Sequence, residues 1–242
     1  MADDRPEQRL VLWDIDHTLI ETRGVGRALY RAAFEDVTGQ PMRHEADVSG
    51  KTEPAILAET LRMHGISSDD DLRRKYAQAL ASQYELHRDE LRQKGRSLPG
   101  ARASLETLAR DERAVQAVLT GNLRTVALIK LEAFDLDSFV DLEVSAYGED
   151  GEDRTDLIQA ALRRAADKYG KQFTSQNTVV VGDTINDVAA AGRAGVAVVA
   201  VATGRDGPDE LLAAGAAVVL ADLSDTVRVV GAVMDSKRRG QS

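Results

Sequence analysis

Four aspartates, a threonine and a basic side chain stand where apolar runs have just ended, and together they suggest chemistry on a phosphate. Asp14 and Asp16 close the run Leu10-Val11-Leu12-Trp13, two residues apart, and Thr18 follows. Two neighbouring carboxylates at the end of a buried strand repel one another and need a cation to hold them. Thr120, Gly121 and Asn122 follow a second run: a hydroxyl and successive backbone N–H groups opening a helix, a combination suited to an anion. Gly182, Asp183, Thr184, Asn186 and Asp187 follow another and add two carboxylates. Arg154 lies ahead of an intervening helix, in the acidic stretch 148–156, and Lys130 is a second basic candidate. Oxygen ligands of this kind suit Mg²⁺ beside a substrate phosphate, and the set reads as phosphoryl transfer. One aspartate would attack phosphorus and a second would move the proton of the leaving oxygen.

The elements needed to position these groups can be drawn from the same sequence. Near-continuous Val, Leu and Ala runs predict strands over 10–13, 114–119, 142–146, 178–181, 197–201 and 217–220. Helical spacing predicts helices over 101–110, 123–134, 155–169, 186–194 and 208–214. Strands alternating with helices imply an α/β fold, a Rossmann-like parallel sheet between two helical layers. Ligands of such a sheet collect at the carboxyl ends of its strands, where the candidate residues stand. Between about Thr22 and Arg96 the pattern is helical only. Val25, Leu29, Ala33 and Val37 mark one helix, a second starts after Thr52 and ends at Gly65, and a third starts near Ser68 and carries Leu72, Tyr76, Leu80 and Leu86. This predicts an all-α insert, with residues 1–20 and 96–242 as the core and 21–95 as the insert. The polar arm 1–8 and the basic tail 237–242 lie outside the pattern.

Composition narrows the function classes. The net charge of −9 argues against nucleic acid as the main partner, because a phosphate backbone requires clustered cations. With no cysteine there is no disulfide framework and no thiolate metal site. No apolar run reaches the roughly 20 residues of a membrane span, and the opening residues lack the apolar segment of a signal peptide. The expectation is a soluble, cytoplasmic protein, monomeric or homodimeric, acting on a small phosphorylated metabolite.

The segment Asp14-Ile15-Asp16-His17-Thr18-Leu19, followed in order by Leu119-Thr120-Gly121-Asn122, a basic residue, and Val181-Gly182-Asp183-Thr184-Ile185-Asn186-Asp187, resembles the haloacid dehalogenase superfamily. The helical insert resembles the C1-type cap of its phosphoglycolate phosphatase and beta-phosphoglucomutase branch. The resemblance implies Asp14 as nucleophile and metal ligand, and Asp16 as general acid/base that also meets the metal through its backbone carbonyl. It implies Thr120 with the amides of Gly121 and Asn122 as phosphate binders, Asp183 as a direct metal ligand, and Asp187 as its support. The basic third motif falls on Arg154, with Lys130 as runner-up. In related caps a loop such as Ser49-Gly50-Lys51-Thr52 reaches over the active site, which makes Gly50 and Lys51 the candidates for substrate selection; Arg23 and Arg27 are weaker ones. Two departures from the pattern stand out: His17 where glycine is usual, in a turn that favours left-handed backbone, and arginine where lysine is usual.

A Mg²⁺-dependent phosphatase acting on a phosphoglycolate-like molecule or a sugar phosphate through an aspartyl-phosphate is therefore expected. A sugar-phosphate mutase would use the same catalytic set. A dehalogenase or a phosphonate-cleaving enzyme would not call for the acid/base at Asp16. A non-catalytic receiver of phosphoryl groups would need neither Asp16 nor a cap.

Overall fold

The alternation of apolar runs and helical segments folds into one parallel sheet with helices on both sides, seen in a computed structural model that describes residues 8–236. The expectations for residues 1–7 and 237–242 lie outside the described residues. β1 (Arg9–Trp13) leads to the short β2 (Ile20–Glu21), from which the chain departs into α1 (Val25–Thr38), α2 (Glu53–Met63), α3 (Asp70–Leu86) and α4 (Arg88–Lys94). It returns through β3 (Arg96–Ser97), which pairs antiparallel with β2. The remainder alternates: α5 (Ala101–Ala109), β4 (Ala114–Val118), α6 (Arg124–Ala133), α7 (Arg154–Tyr169), β5 (Thr178–Gly182), α8 (Ile185–Ala194), β6 (Ala197–Val201), α9 (Pro208–Ala214), β7 (Val218–Leu220) and α10 (Thr226–Asp235).

The sheet runs in the order β4-β1-β5-β6-β7, every pair parallel. The period-two alternation of a strand divides β1 between two cores. Val11 and Trp13 pack with residues of α5, α6 and α10, whereas Leu10 and Leu12 pack with residues of α7, α8 and α9. The register aligns the strand ends: Trp13 lies beside Val118 on one side and Val181 on the other. The residues that follow, Asp14, Leu119 and Gly182, therefore emerge together along one edge.

The helical insert has its own core. Leu29, Ala33 and Phe34 of α1, Leu57 and Leu61 of α2, and Tyr76, Leu80 and Tyr84 of α3 are buried together. Val126, Ile129 and Ala133 of α6 complete that cluster, so α6 presents one face to the sheet and another to the insert. Local chemistry starts and stops these helices, the start after Thr52 as expected, although α2 ends at Met63, short of Gly65. The Thr52 side chain caps α2 and Asp69 caps α3, while Gly39, in left-handed backbone, ends α1.

Three differences from the sequence reading have physical causes. Residues 142–146 form no strand; only Ala146 bridges to Leu119. The Val118 N–H is taken by the Ser145 hydroxyl instead of a ladder carbonyl, and the Ser145 carbonyl accepts from Arg164. Helix α4 was unmarked because Arg88–Lys94 is polar around most of its circumference, with only Leu91 buried. Helix α10 was unmarked because its valine-rich composition reads as strand, although Val229, Val230, Val233 and Met234 follow helical spacing and Val229 and Val233 are fully buried. Among the described residues no helix is long and apolar enough to cross a membrane.

Candidate active site

Aligned strand ends bring three carboxylates and one guanidinium into contact below the surface. Asp14, directly after β1, donates its backbone N–H to Val181 O at 2.8 Å, which ties it to β5. Asp183 follows β5, and Asp187 lies in the first turn of α8. Carboxylate oxygens of the three all lie within 4.8 Å of one another. Arg154, the first residue of α7, reaches into this group. Its Nη2 donates to Asp14 Oδ1 at 2.8 Å, and its Nη1 lies 2.8 Å from Asp187 Oδ1 and donates to Leu119 O at 3.2 Å. Asp153 at the helix N-cap accepts from the N–H groups of Thr155 and Asp156, and thereby fixes where Arg154 begins.

Burial sets the protonation of this cluster. It pushes Asp14 up to about 7 even though Arg154 opposes the shift, and the charges of Asp187 and Asp16 add to it. Asp183 rises further, to about 9, through burial and through Asp14 and Asp187, with the Thr18 hydroxyl at 3.2 Å among the few groups that favour its charged form. Asp187 is fully buried, and its Oδ2 accepts from the N–H and hydroxyl of Thr184, a capping box that anchors α8. With all three aspartates ionised, one guanidinium leaves two negative charges uncompensated. An all-oxygen site carrying that charge fits a hard divalent cation, which Asp14, Asp183 and Asp187 could hold.

Asp16 stands apart from this cluster and faces the helical insert. Lys130 Nζ lies 2.8 Å from both of its carboxylate oxygens, and Asn122 Nδ2 donates to Oδ2 at 2.6 Å. Burial opposes charge on Asp16, but the Lys130 ammonium and the hydrogen bonds from Asn122 and Lys130 outweigh it and hold the carboxyl below its usual range. The two basic candidates thus have different partners: Arg154 meets Asp14 and Asp187, and Lys130 meets Asp16. Thr120 is buried beside Asn122, and its hydroxyl accepts from Asn122 Nδ2 at 2.7 Å.

His17 takes the left-handed backbone that the motif's usual glycine would take, at φ 59°. Its N–H donates to Ile20 O at 2.8 Å and its carbonyl accepts from the Thr203 hydroxyl. The side chain itself is exposed.

The loop before α2 covers this edge. Glu53 N donates to Gly121 O at 2.7 Å, Glu53 Oε2 accepts from Leu123 N at 2.7 Å, and Asn186 Nδ2 donates to Ser49 O at 2.8 Å. The approach is so close that a Cβ at Gly121 would fall 2.2 Å from Lys51 O, and one at Gly50 2.4 Å from Asn186 Cβ. Gly50 is thus placed against the site. The Lys51 ammonium instead pairs with Glu59 of α2 at 2.7 Å, and Arg23 and Arg27 pair with Glu21 and Glu45.

Other contributors have no role at the site assigned from sequence. A Cβ at Gly204 would fall 1.8 Å from Asp183 Oδ2, so only glycine lets the loop after β6 press against this carboxylate. Asp206 Oδ2 accepts from Ile185 N at 2.7 Å and steadies the start of α8. The Tyr84 ring lies 5.5 Å from Lys130 Nζ. The position of Gly204 just past a strand end could have flagged it; Glu53, Tyr84 and Asp206 carry no comparable signal.

Comparison with known families decides the lineage: the haloacid dehalogenase-like hydrolase family matches over residues 11–201. The chain belongs to that family. It is a haloacid dehalogenase-like hydrolase whose solved relatives share the architecture over nearly the whole chain. A hydrolase from Pseudomonas syringae is 26% identical with a TM-score of 0.66, over 91% of this chain and 97% of its own. A predicted phosphoglycolate phosphatase from Haemophilus somnus is 19% identical, TM-score 0.64, over 93% and 98%. A provisionally assigned beta-phosphoglucomutase from Bacteroides vulgatus is 17% identical, TM-score 0.65, over 96% and 92%. A comparison with curated proteins finds no match.

Proposed function

We propose that this haloacid dehalogenase-like hydrolase is a Mg²⁺-dependent phosphatase of a small phosphomonoester, working through a phosphorylated Asp14. The observation that carries the reading is the separation of two differently charged carboxylate environments at one sheet edge. Asp14 sits with Asp183, Asp187 and Arg154, and Asp16 sits opposite with Lys130. Bound Mg²⁺ would offset the two negative charges that Arg154 leaves on the three carboxylates and would polarise the phosphate oxygens.

In this reading an Asp14 carboxylate oxygen bonds to phosphorus while the ester P–O bond breaks, and Asp16, which must take up a proton as the substrate binds because Lys130 and Asn122 favour its ionised form, gives that proton to the departing oxygen. A water then attacks the same phosphorus and yields a proton to Asp16. The bond from phosphorus to Asp14 breaks, and inorganic phosphate leaves. Arg154 orients Asp14 through Nη2. Thr120, with the amide of Gly121, would hold the phosphate oxygens at the mouth of α6, the Asn122 N–H being taken by the Thr120 hydroxyl oxygen at 3.2 Å. Residues 21–95 would serve as the cap, and residues 1–20 with 96–242 as the catalytic core. The closeness of Gly50 to Asn186 supports the 49–52 loop as the part that shapes the leaving-group pocket. For Lys51 to meet an anionic group on the substrate, it would exchange Glu59 for it.

The test is a panel of phosphoesters assayed with and without Mg²⁺, beside Asp14→Asn. Phosphate release that depends on Mg²⁺ and is lost in the variant supports the reading. Undiminished turnover in Asp14→Asn would sink it, and return of the phosphate to the sugar would identify a mutase instead.

A further inference from the structure

Lys130 is 4% exposed, beneath the helical insert, and its ammonium lies within 2.8 Å of three oxygens: Asp16 Oδ1, Asp16 Oδ2 and Asn122 Oδ1. An ammonium has three donors and no acceptor, so these contacts use all of its hydrogen-bonding capacity. The same rule fixes the Asn122 amide. The atom facing Lys130 at 2.6 Å must be the oxygen, which turns Nδ2 toward Asp16 Oδ2 at 2.6 Å and Thr120 Oγ1 at 2.7 Å. The Thr120 oxygen also accepts from Asn122 N at 3.2 Å. With both of its acceptor positions used, Thr120 is left with its own proton to donate, which is the polarity that a phosphate oxygen needs.

We propose that Lys130 is a positioning residue for the hydrolysis: through Asp16 and Asn122 it orients the proton donor for the leaving group and makes Thr120 a hydrogen-bond donor to phosphate. The inference rests on the phosphatase reading above and adds to it a residue that touches neither phosphorus nor metal. Arg154 governs the nucleophile, and Lys130 governs the groups on the other side of the phosphate. The Tyr84 ring, 5.5 Å away, bounds the ammonium from the side of the insert.

The test uses leaving-group dependence, which a general loss of stability does not change. The full-length protein with Mg²⁺ is assayed on p-nitrophenyl phosphate, whose phenolate departs without a proton, and on the aliphatic ester that turns over fastest in the panel. In single turnover, read as leaving-group release before water attacks the phosphorylated Asp14, Lys130→Gln is expected to slow the aliphatic ester at least about 20-fold more than p-nitrophenyl phosphate, the range of a displaced general acid, while any loss of phosphate binding at Thr120 falls on both esters alike. Lys130→Arg, which keeps the charge, should recover part of the aliphatic rate. In an Asp16→Asn background, adding Lys130→Gln should leave the ratio of the two rates unchanged, since the residue through which it acts is gone. Equal losses on both esters, or an additive effect in the double variant, overturn the proposal while leaving the phosphatase reading intact. A wild-type protein inactive on both esters overturns that reading, and this one with it.

Discussion

Replacing Arg154 with methionine tests the electrostatics of the site directly. Methionine fills much of the same space but removes the cation that meets Asp14 and Asp187, each at 2.8 Å. Removing one member of a buried ion pair costs about 3–5 kcal/mol, because the partner is left charged and desolvated. The lower end, about 3 kcal/mol, is expected here because protonation offers relief: burial already holds Asp14 at about 7 and Asp183 at about 9. The pH dependence follows from these raised values. A carboxyl whose folded value lies above its unfolded one favours folding most at low pH, and that contribution is lost as the pH rises toward the folded value. In the metal-free wild type the Asp14 contribution is used up near pH 7. In the variant Asp14 moves higher, so its loss continues beyond pH 7 at about 1.4 kcal/mol per pH unit. Urea unfolding of both proteins between pH 5 and 8, without metal, should show curves that diverge above pH 7. Mg²⁺, which requires the ionised carboxylates, should restore more stability at pH 8 than at pH 6. Parallel curves from pH 6 to 8 would refute the assignment of Arg154 as the cation balancing Asp14.

Substitutions at two further positions probe the supporting backbone. Gly204→Ala would force Asp183 from its place, since the new carbon would fall 1.8 Å from Oδ2. Calorimetric titration should show Mg²⁺ affinity reduced by about 10–100-fold, as for the loss of a group that orients a metal ligand, and unchanged affinity would refute the packing argument. At position 17, with φ 59°, glycine should be tolerated or stabilise by up to about 1 kcal/mol, whereas valine should cost about 1–2 kcal/mol. Thermal unfolding of His17→Gly and His17→Val decides this, and equal stability of the two would remove the backbone as the reason for the residue.

What the sequence made legible was whatever rests on local chemistry. The strand ends carrying Asp14, Thr120 and Asp183 could be located because parallel strands are buried on both faces and read as apolar runs. The helix start after Thr52 could be located because a capping residue has a distinctive side chain, whereas α7 begins at Arg154, one residue before the expected start. Tertiary decisions were not legible. Residues 142–146 have strand composition, but Ser145 and Arg164 occupy the groups that a ladder would use. The choice between Arg154 and Lys130 had to await the fold, because both are basic residues on helices near the sheet edge. Only the three-dimensional paths of α6 and α7 assign one to Asp16 and the other to Asp14. Glu53 was invisible for the same reason: its partners at Gly121 and Leu123 lie about 70 residues away in the chain.

That same residue links two events in time. Glu53 grips the loop 121–123 twice, its N–H donating a hydrogen bond to the Gly121 carbonyl and its carboxylate accepting one from the Leu123 amide. Any lifting of the helical insert would release both bonds at once, uncapping the start of α6 as water enters. In the proposed reading, with the loop facing the phosphate and residues 21–95 as the cap, a single movement would complete both the loop and the barrier to solvent, and enclosure would be a precondition for the rigid form of the loop.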